Sequence, residues 1–277
     1  MFRTNPITGE RVLYAPNRAA RRGAFGGALG DASADRCPFC PGHESDTPPE
    51  LARVGDPWHV RTFPNKYPPI DGAEVIVESP SHAESFAEVE HAEDVVRMYA
   101  DRYRAHADAA YVSLFKNEGA RAGASIPHVH SQVVPLPFVP PRIERELAGF
   151  ARGCALCGMR ENVVRETESF VWLAPHASAF AHQQWIVPKR HVPELLTLHD
   201  DELRELASLL RSSARATRTV ANAFNWMFLS FPRNTDAHFY VDVSPRAAVI
   251  AGFELNTGTF VEIIDPADAA RRLRETQ

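Results

Sequence analysis

Apolar residues recur along this chain at two spacings, and the order of the resulting elements repeats. From about Asp200 to Ala223, the residues Leu203, Leu206, Leu210 and Ala214 share one face of a helical period, which predicts a helix with a single buried stripe. A matching helix-like stretch runs from about Glu84 to Ala109. Short apolar runs at Val75-Ile76-Val77, Tyr111–Phe115, Trp185-Ile186-Val187 and Met227–Phe231 read as strands. Each half orders its parts alike: a Cys-x-x-Cys pair, a strand, a proline and a histidine, a helix, a strand, then a second histidine opening a further strand (His128 to Val134, His238 to Val243). The copies are offset by 117 residues at the cysteines (Cys37, Cys154), 109 at the first histidine (His82, His191) and 110 at the second (His128, His238). A duplication of this kind predicts an α+β fold of two tandem units, residues 1–141 and 142–277, each a mostly antiparallel sheet with a crossing helix. The proline-rich link Pro135–Pro141 would join them in one pseudo-twofold body, too tightly for the halves to fold apart.

Composition narrows the functional classes. A chain of 277 residues with 44% hydrophobic and 23% charged content is an ordinary globular one, which excludes disorder. Its formal charge of −5, with Lys and Arg spread along the chain, argues against nucleic acid as a partner. No apolar run approaches the roughly 18 residues of a membrane span. Met1-Phe2-Arg3-Thr4-Asn5-Pro6 has no signal-peptide character, so a cytoplasmic location is expected.

In a reducing compartment, paired cysteines two residues apart are more often a metal clip than a disulfide. The repeats sort the four cysteines and four of the histidines into two sets, Cys37, Cys40, His82, His128 and Cys154, Cys157, His191, His238. Each set has the stoichiometry of a closed tetrahedral Zn2+ site. A lone Cys-x-x-Cys could equally be a redox pair and a lone histidine a core residue. The duplicated order is what favours two zinc sites, and four protein ligands make both structural. His43, His59, His91, His106, His176, His182 and His199 lack such support and read as solvated surface histidines.

The halves differ beside the second histidine, where His130 of the first copy corresponds to Tyr240 of the other. On a strand, residues two apart share a face, so His128, His130 and Gln132 form one row. Upstream, Gly119 and Gly123 allow close approach of backbone to a ligand, flanked by Asn117 and Ser125. A neutral imidazole outside the metal set, on a strand pinned by that set, suits a nucleophile aimed at phosphorus, with Gln132 donating to a phosphate oxygen. The alternatives for His130 are a further metal ligand or a buried structural histidine.

These residues together resemble the galactose-1-phosphate uridylyltransferase family of the histidine-triad superfamily. The resemblance spans nearly the whole chain: Asn5-Pro-Ile-Thr-Gly-Glu-Arg-Val-Leu-Tyr-Ala-Pro-Asn-Arg18-Ala-Ala-Arg21, Cys37-Pro-Phe-Cys40, Phe63-Pro-Asn65-Lys-Tyr-Pro, Ser79-Pro-Ser-His82, Asn117 to Gln132, and a closing strand at Ala251-Gly-Phe-Glu-Leu. It implies two histidine-triad-like units and ping-pong transfer of a nucleoside monophosphate from a nucleotide sugar through His130. The acceptor would be a sugar 1-phosphate, or inorganic phosphate as in the phosphorylases. By the same resemblance, Arg18 and Arg21 would meet phosphate, Asn65 the nucleotide, and Asn117, Ser125 and Gln132 the phosphoryl groups; a homodimer is implied as well.

Three departures matter. Val129 stands where proline is usual, His238-Phe-Tyr240 replaces a histidine-rich motif, and Ala247 and Ala248 stand near the place of a phosphate-holding lysine. The second cysteine clip resembles the ADP-glucose phosphorylase branch, which makes Glu146, at the spacing of a family metal ligand, a surface-helix residue. Two rivals remain: a zinc-stabilised nucleotide-binding protein without turnover, and a hydrolase passing the nucleotide to water.

Overall fold

A computed structural model of the chain describes residues 2–13, 15–16, 33–82 and 85–276. Strands β1 (Phe2–Thr4) and β2 (Arg11–Leu13) form a small antiparallel hairpin. The other ten are β3 (Ala52–Gly55), β4 (Trp58–Pro64), β5 (Glu74–Val77), β6 (Tyr111–Glu118), β7 (His130–Leu136), β8 (Val163–Glu166), β9 (Phe170–Leu173), β10 (Gln184–Pro188), β11 (Phe224–Leu229) and β12 (Tyr240–Pro245). They build one sheet in the order β3-β4-β5-β7-β6-β11-β12-β10-β9-β8, antiparallel at every pairing.

This order reads the same from either edge once the copies are matched, so the pseudo-twofold runs between β6 and β11. Those two strands pair from Leu114↔Phe228 to Glu118↔Phe224, and backbone hydrogen bonds join the halves into a single sheet. The fold expected from the duplication is therefore present, and the sheet is wholly rather than mostly antiparallel.

Among the described residues, five α-helices complete the architecture: α1 (Ala92–Ala105), α2 (Pro141–Phe150), α3 (Asp200–Arg218), α4 (Gly252–Thr257) and α5 (Pro266–Arg274). Helices α1 and α3 cover one face of the sheet. Between them and the strands lies the main core, with Val95, Val96, Tyr99, Leu206, Leu210, Ile76, Val133, Trp226 and Phe228 among its buried members. The opposite face carries smaller clusters, one built on Cys37, Phe39, Cys40, Phe63, Val75 and Val77 and the other on Tyr111, Ile143, Leu156, Phe231 and Tyr240. Among the described residues, no helix is long and apolar enough to cross a membrane.

Both long helices are shorter than periodicity alone suggests. The chain before α1 forms a turn at Phe86–Glu88, because the Ala87 amide donates to Ser85 Oγ (3.2 Å) and the Phe86 amide to the Glu118 carboxylate (2.9 Å). α3 opens with Asp200, Asp201 and Glu202 in its first turn, where the helix dipole favours negative charge, and Glu202 accepts from the His199 amide at 2.7 Å. It stops before β-branched Thr219 and Val220. The expected closing strand at Ala251–Leu255 is instead α4: Ala251 N donates to Glu254 Oε2 (3.1 Å), and Gly258 ends the turn at φ 67°.

Three of the histidines expected at the solvated surface are instead partnered or buried. His106 Nε2 lies 2.7 Å from Glu74, a carboxylate only 3% exposed that Arg102 also grips through two contacts of 2.7 Å. His182 is buried at a positive φ of 60°. His43 Nδ1 donates to the Cys37 carbonyl at 2.6 Å. A polar neighbour at long sequence separation accounts for His106 and a tight turn for His43, whereas the buried Nδ1 of His182 has no hydrogen-bond partner.

Leu210 is fully buried between α3 and the sheet. Leu210→Ala is expected to cost about 2–5 kcal/mol of unfolding free energy in chemical denaturation, from lost transfer energy and the cavity left behind.

Candidate functional site

β7 departs from the sheet centre with alternate side chains on opposite faces. His130 pairs with Val77 and Gln132 with Val75, so both project onto the face away from α1. There they floor a cleft of about 540 Å³ whose walls include Phe39, Phe63, Asn65, Lys66, Ser125 and Ile126. A volume of that size suits a nucleotide-sized ligand.

His130 is 7% exposed, and its Nδ1 donates to the His128 carbonyl at 2.7 Å. That bond fixes the tautomer and leaves Nε2 with the lone pair. The Phe39 ring stands edge-on to the imidazole at 5.3 Å. Asn65 Nδ2 donates to Gln132 Oε1 at 3.3 Å, while Asn65 Oδ1 accepts from the Tyr67 amide at 2.9 Å. The amide group of Gln132 is thereby oriented with its NH2 available to an incoming oxygen.

His128 belongs to a different group. Its Nδ1 lies 3.6 Å from Cys37 Sγ and 3.5 Å from Cys40 Sγ, and His82 Nδ1 lies 3.3 Å from Cys40 Sγ. The donor atoms of Cys37, Cys40, His82 and His128 all fall within 4.8 Å of one another. A tetrahedral ion with metal–sulfur and metal–nitrogen bonds of about 2.3 and 2.1 Å would hold sulfur and nitrogen about 3.6 Å apart. The spacing fits a metal. Behind the ring, His128 Nε2 donates to the Ser79 carbonyl at 2.8 Å, which turns Nδ1 toward the thiols.

Cys154, Cys157, His191 and His238 repeat the arrangement in the second half. Sulfur–nitrogen separations there run from 3.1 to 3.5 Å, and His238 Nε2 donates to the Pro188 carbonyl at 2.8 Å. Contrary to the simplest sequence reading, His128 and His238 sit just outside the strands they were expected to open: β7 begins at His130 and β12 at Tyr240.

The donor chemistry agrees with a resident cation. Burial drives the imidazoles of His128 and His238 down to about 4, so both are neutral at pH 7, the form a metal needs. Burial, with the neighbouring thiol of each clip, pushes Cys40 up to about 12 and Cys157 up to about 11. Thiols held this way become thiolates only against positive charge.

Where His130 stands in the first half, the second half is filled. Tyr240 packs on Trp185 with ring centroids 5.0 Å apart, and its hydroxyl donates to Glu146 Oε2 at 3.1 Å. Arg142 bridges Glu146 (2.8 Å) and Asp242 (2.9 Å), the latter at the position of Gln132. Trp185 pairs with Asp242 as Val75 pairs with Gln132, so an indole occupies the space that the first half leaves as cleft. Glu146, expected to be a helix-surface residue, instead caps Tyr240, and it lies outside both metal groups.

Of the residues expected at the site, Asn65, Ser125, His130 and Gln132 converge on the cleft. Asn117 stands apart from the cleft lining, its Oδ1 accepting from Asn225 Nδ2 at 2.7 Å. Arg18 and Arg21 lie outside the described residues. Arg61 went unnoticed in the sequence: it is fully buried, and its guanidinium donates to the Pro38 carbonyl (3.0 Å) and Thr47 Oγ1 (3.1 Å), bracing the Cys37–Cys40 loop. Its signal was a charge among apolar residues of β4.

Comparison with known proteins places these features in a family. The family model described as "Domain of unknown function (DUF4921)" matches residues 79–276. An ADP-glucose phosphorylase of Arabidopsis thaliana is 29% identical, over 99% of this chain and 92% of its own. A galactose-1-phosphate uridylyltransferase of Thermotoga maritima is also 29% identical, over 100% of this chain and 98% of its own. The crystal structure of the Arabidopsis thaliana ADP-glucose phosphorylase with bound ADP-glucose superimposes with a TM-score of 0.82 at 28% identity, covering 100% of this chain and 99% of that one.

Titration of metal-stripped protein with Co2+ is expected to develop thiolate charge-transfer absorption that saturates at two equivalents. Because the Cys40 and Cys157 thiols are protonated before metal arrives, each ion displaces protons, and affinity should fall as pH is lowered from about 11. Saturation at one equivalent or fewer, or affinity independent of pH, would contradict the assignment.

Proposed function

This chain belongs to the DUF4921 family and shares the fold of an ADP-glucose phosphorylase, and from that premise we propose that it is a nucleotidyltransferase acting through a covalent nucleotidyl-His130. The single observation that carries this reading is the row His130 and Gln132 on the cleft floor, with Nδ1 of His130 committed to a carbonyl and the second-half counterpart sealed.

In the first half-reaction Nε2 attacks the α-phosphorus of a nucleotide sugar, and the bond from that phosphorus to the bridging oxygen breaks. Hexose 1-phosphate leaves with the electron pair. Nδ1–H remains donated to the His128 carbonyl and stabilises the charge that the ring acquires. Gln132 donates to a non-bridging oxygen as negative charge accumulates there, Ser125 contacts the same group, and Asn65 holds Gln132 in place. In the second half-reaction an acceptor phosphate oxygen attacks, the phosphorus–nitrogen bond breaks, and neutral imidazole returns.

The acceptor is a sugar 1-phosphate in the uridylyltransferase reading and inorganic phosphate in the phosphorylase reading. The second cysteine–histidine cluster and the absence of lysine at Ala247 and Ala248 favour the phosphorylase reading. Arg18 and Arg21 serve as phosphate contacts in either case, and Asn117 supports the phosphoryl site through its loop. Both metal clusters hold Zn2+ as structural ions: each has four protein donors, which leaves no position for substrate. A second copy of the chain is the proposed partner.

The test uses unlabelled donors together with labelled glucose 1-phosphate. With UDP-glucose or ADP-glucose and no other acceptor, the labelled glucose 1-phosphate should exchange into the donor pool. Exchange should vanish in His130→Asn, and adding inorganic phosphate should release nucleoside diphosphate if the phosphorylase reading holds. Nucleotide binding without exchange, or exchange that survives His130→Asn, would refute the reading; nucleoside monophosphate accumulating without acceptor would show a hydrolase.

A further inference from the structure

Directly behind His130, on the face of the sheet covered by α1, the apolar core contains a charged pair. Lys116 and Glu78 are both fully buried and ion-paired. Lys116 Nζ also donates to the His130 carbonyl at 3.2 Å. Glu78 accepts from the hydroxyls of Ser131 and Tyr99, which lie 2.8 Å apart, and its own amide donates to the Val129 carbonyl at 3.2 Å. Phe86 and Trp226 wall the ammonium at 5.6 and 5.5 Å, and Glu118 lies 3.8 Å away. The pair thus holds the Val129 carbonyl through the Glu78 amide, the His130 carbonyl through the ammonium and the Ser131 hydroxyl through the carboxylate.

The duplicated half shows what the same scaffold does without such a pair. Lys116 faces Ser131 across β6 and β7; Phe228 faces Val241 across β11 and β12, where Val241 follows Tyr240 as Ser131 follows His130. Ile76 faces Ser131 as Ile186 faces Val241, so Glu78, two residues on from Ile76, falls at Pro188. Phenylalanine, valine and proline therefore replace lysine, serine and glutamate, and the sheet, helix and metal cluster form all the same.

Burying two charges costs several kcal/mol per ion in desolvation, and replacing such a pair by apolar side chains is often neutral or stabilising. Construction of the fold consequently gives no reason for the pair. Its location does: it lies under the half that carries the imidazole, and it grips that residue's own carbonyl.

We infer that Lys116 and Glu78 are positioning residues for His130. They fix its peptide so that Nδ1 stays on the His128 carbonyl and Nε2 keeps its line toward the α-phosphorus. Neither touches substrate. The inference rests on the reading of His130 as nucleophile, and misplacing a reacting group by about 1 Å can cost on the order of a hundredfold in rate.

The test compares the full-length, metal-loaded protein with Lys116→Met/Glu78→Leu/Ser131→Val, which gives this half the apolar character of its copy. The triple variant should melt no lower than the unaltered protein and bind donor within about threefold, while the first-order rate of nucleotide transfer to His130 falls about a hundredfold. A well-folded triple variant that transfers at the unaltered rate overturns the inference. Ser131→Val and Tyr99→Phe, each removing one hydrogen bond to Glu78, should lower that rate about tenfold with donor affinity unchanged. If the triple fails to fold while these two transfer normally, the pair is structural and the inference is wrong. Failure of the unaltered protein to transfer at all is a separate result, which counts against His130 as nucleophile.

Discussion

The arrangement depends on one histidine that serves two neighbours. His128 presents Nδ1 to the thiols of Cys37 and Cys40, gives Nε2–H to the Ser79 carbonyl, and with its own carbonyl accepts Nδ1–H of His130. Both ring nitrogens and the carbonyl of that residue are engaged, so the peptide between the cysteine–histidine cluster and the cleft has little freedom left. Strand period then does the rest: two residues on from a fixed ring comes the proposed nucleophile, and two further on the amide that faces the same cavity. Orientation of the His130 ring is therefore a property of the candidate metal-binding loop as much as of the cleft.

Duplication explains why so specialised a strand can be supported. Ten strands in one sheet, continuous across β6 and β11, provide a stiff platform twice over, and only one copy needs a cavity. In the other, Trp185, Tyr240 and the bridge from Arg142 to Asp242 fill the equivalent space, so that half contributes packing and a second group of cysteines and histidines that could hold a metal. The copies also differ on the core face of the sheet. Lys116, Glu78 and Ser131 stand behind His130, where the second half has Phe228, Pro188 and Val241.

Much of this was legible in the sequence because it follows from short-range periodicity and from repetition. The α3 stripe, the strand after each cysteine clip and the two ligand sets all declare themselves through spacing, and the mismatch of His130 with Tyr240 pointed at the cleft. What was hidden depends on long-range contacts. Lys116 sits in Tyr-Val-Ser-Leu-Phe-Lys at a core-facing position, but nothing local says that Glu78, 38 residues earlier, meets it there. His106 looked solvated because its partner Glu74 lies on β5. Asn117 kept family spacing yet turns to Asn225 across the seam between the halves, a contact no single-strand argument could anticipate. Ala251–Leu255 looked like a strand by resemblance, whereas Glu254 and Gly258 give it the ends of a helix.

The most direct measurement is peptide mapping by mass spectrometry of protein incubated with nucleotide sugar and kept alkaline, where a phosphorus–nitrogen bond on imidazole survives. The account predicts one added nucleoside monophosphate, confined to the peptide containing His130 and lost on addition of the acceptor. An adduct on any other residue, or an unmodified His130 under conditions of turnover, would contradict it.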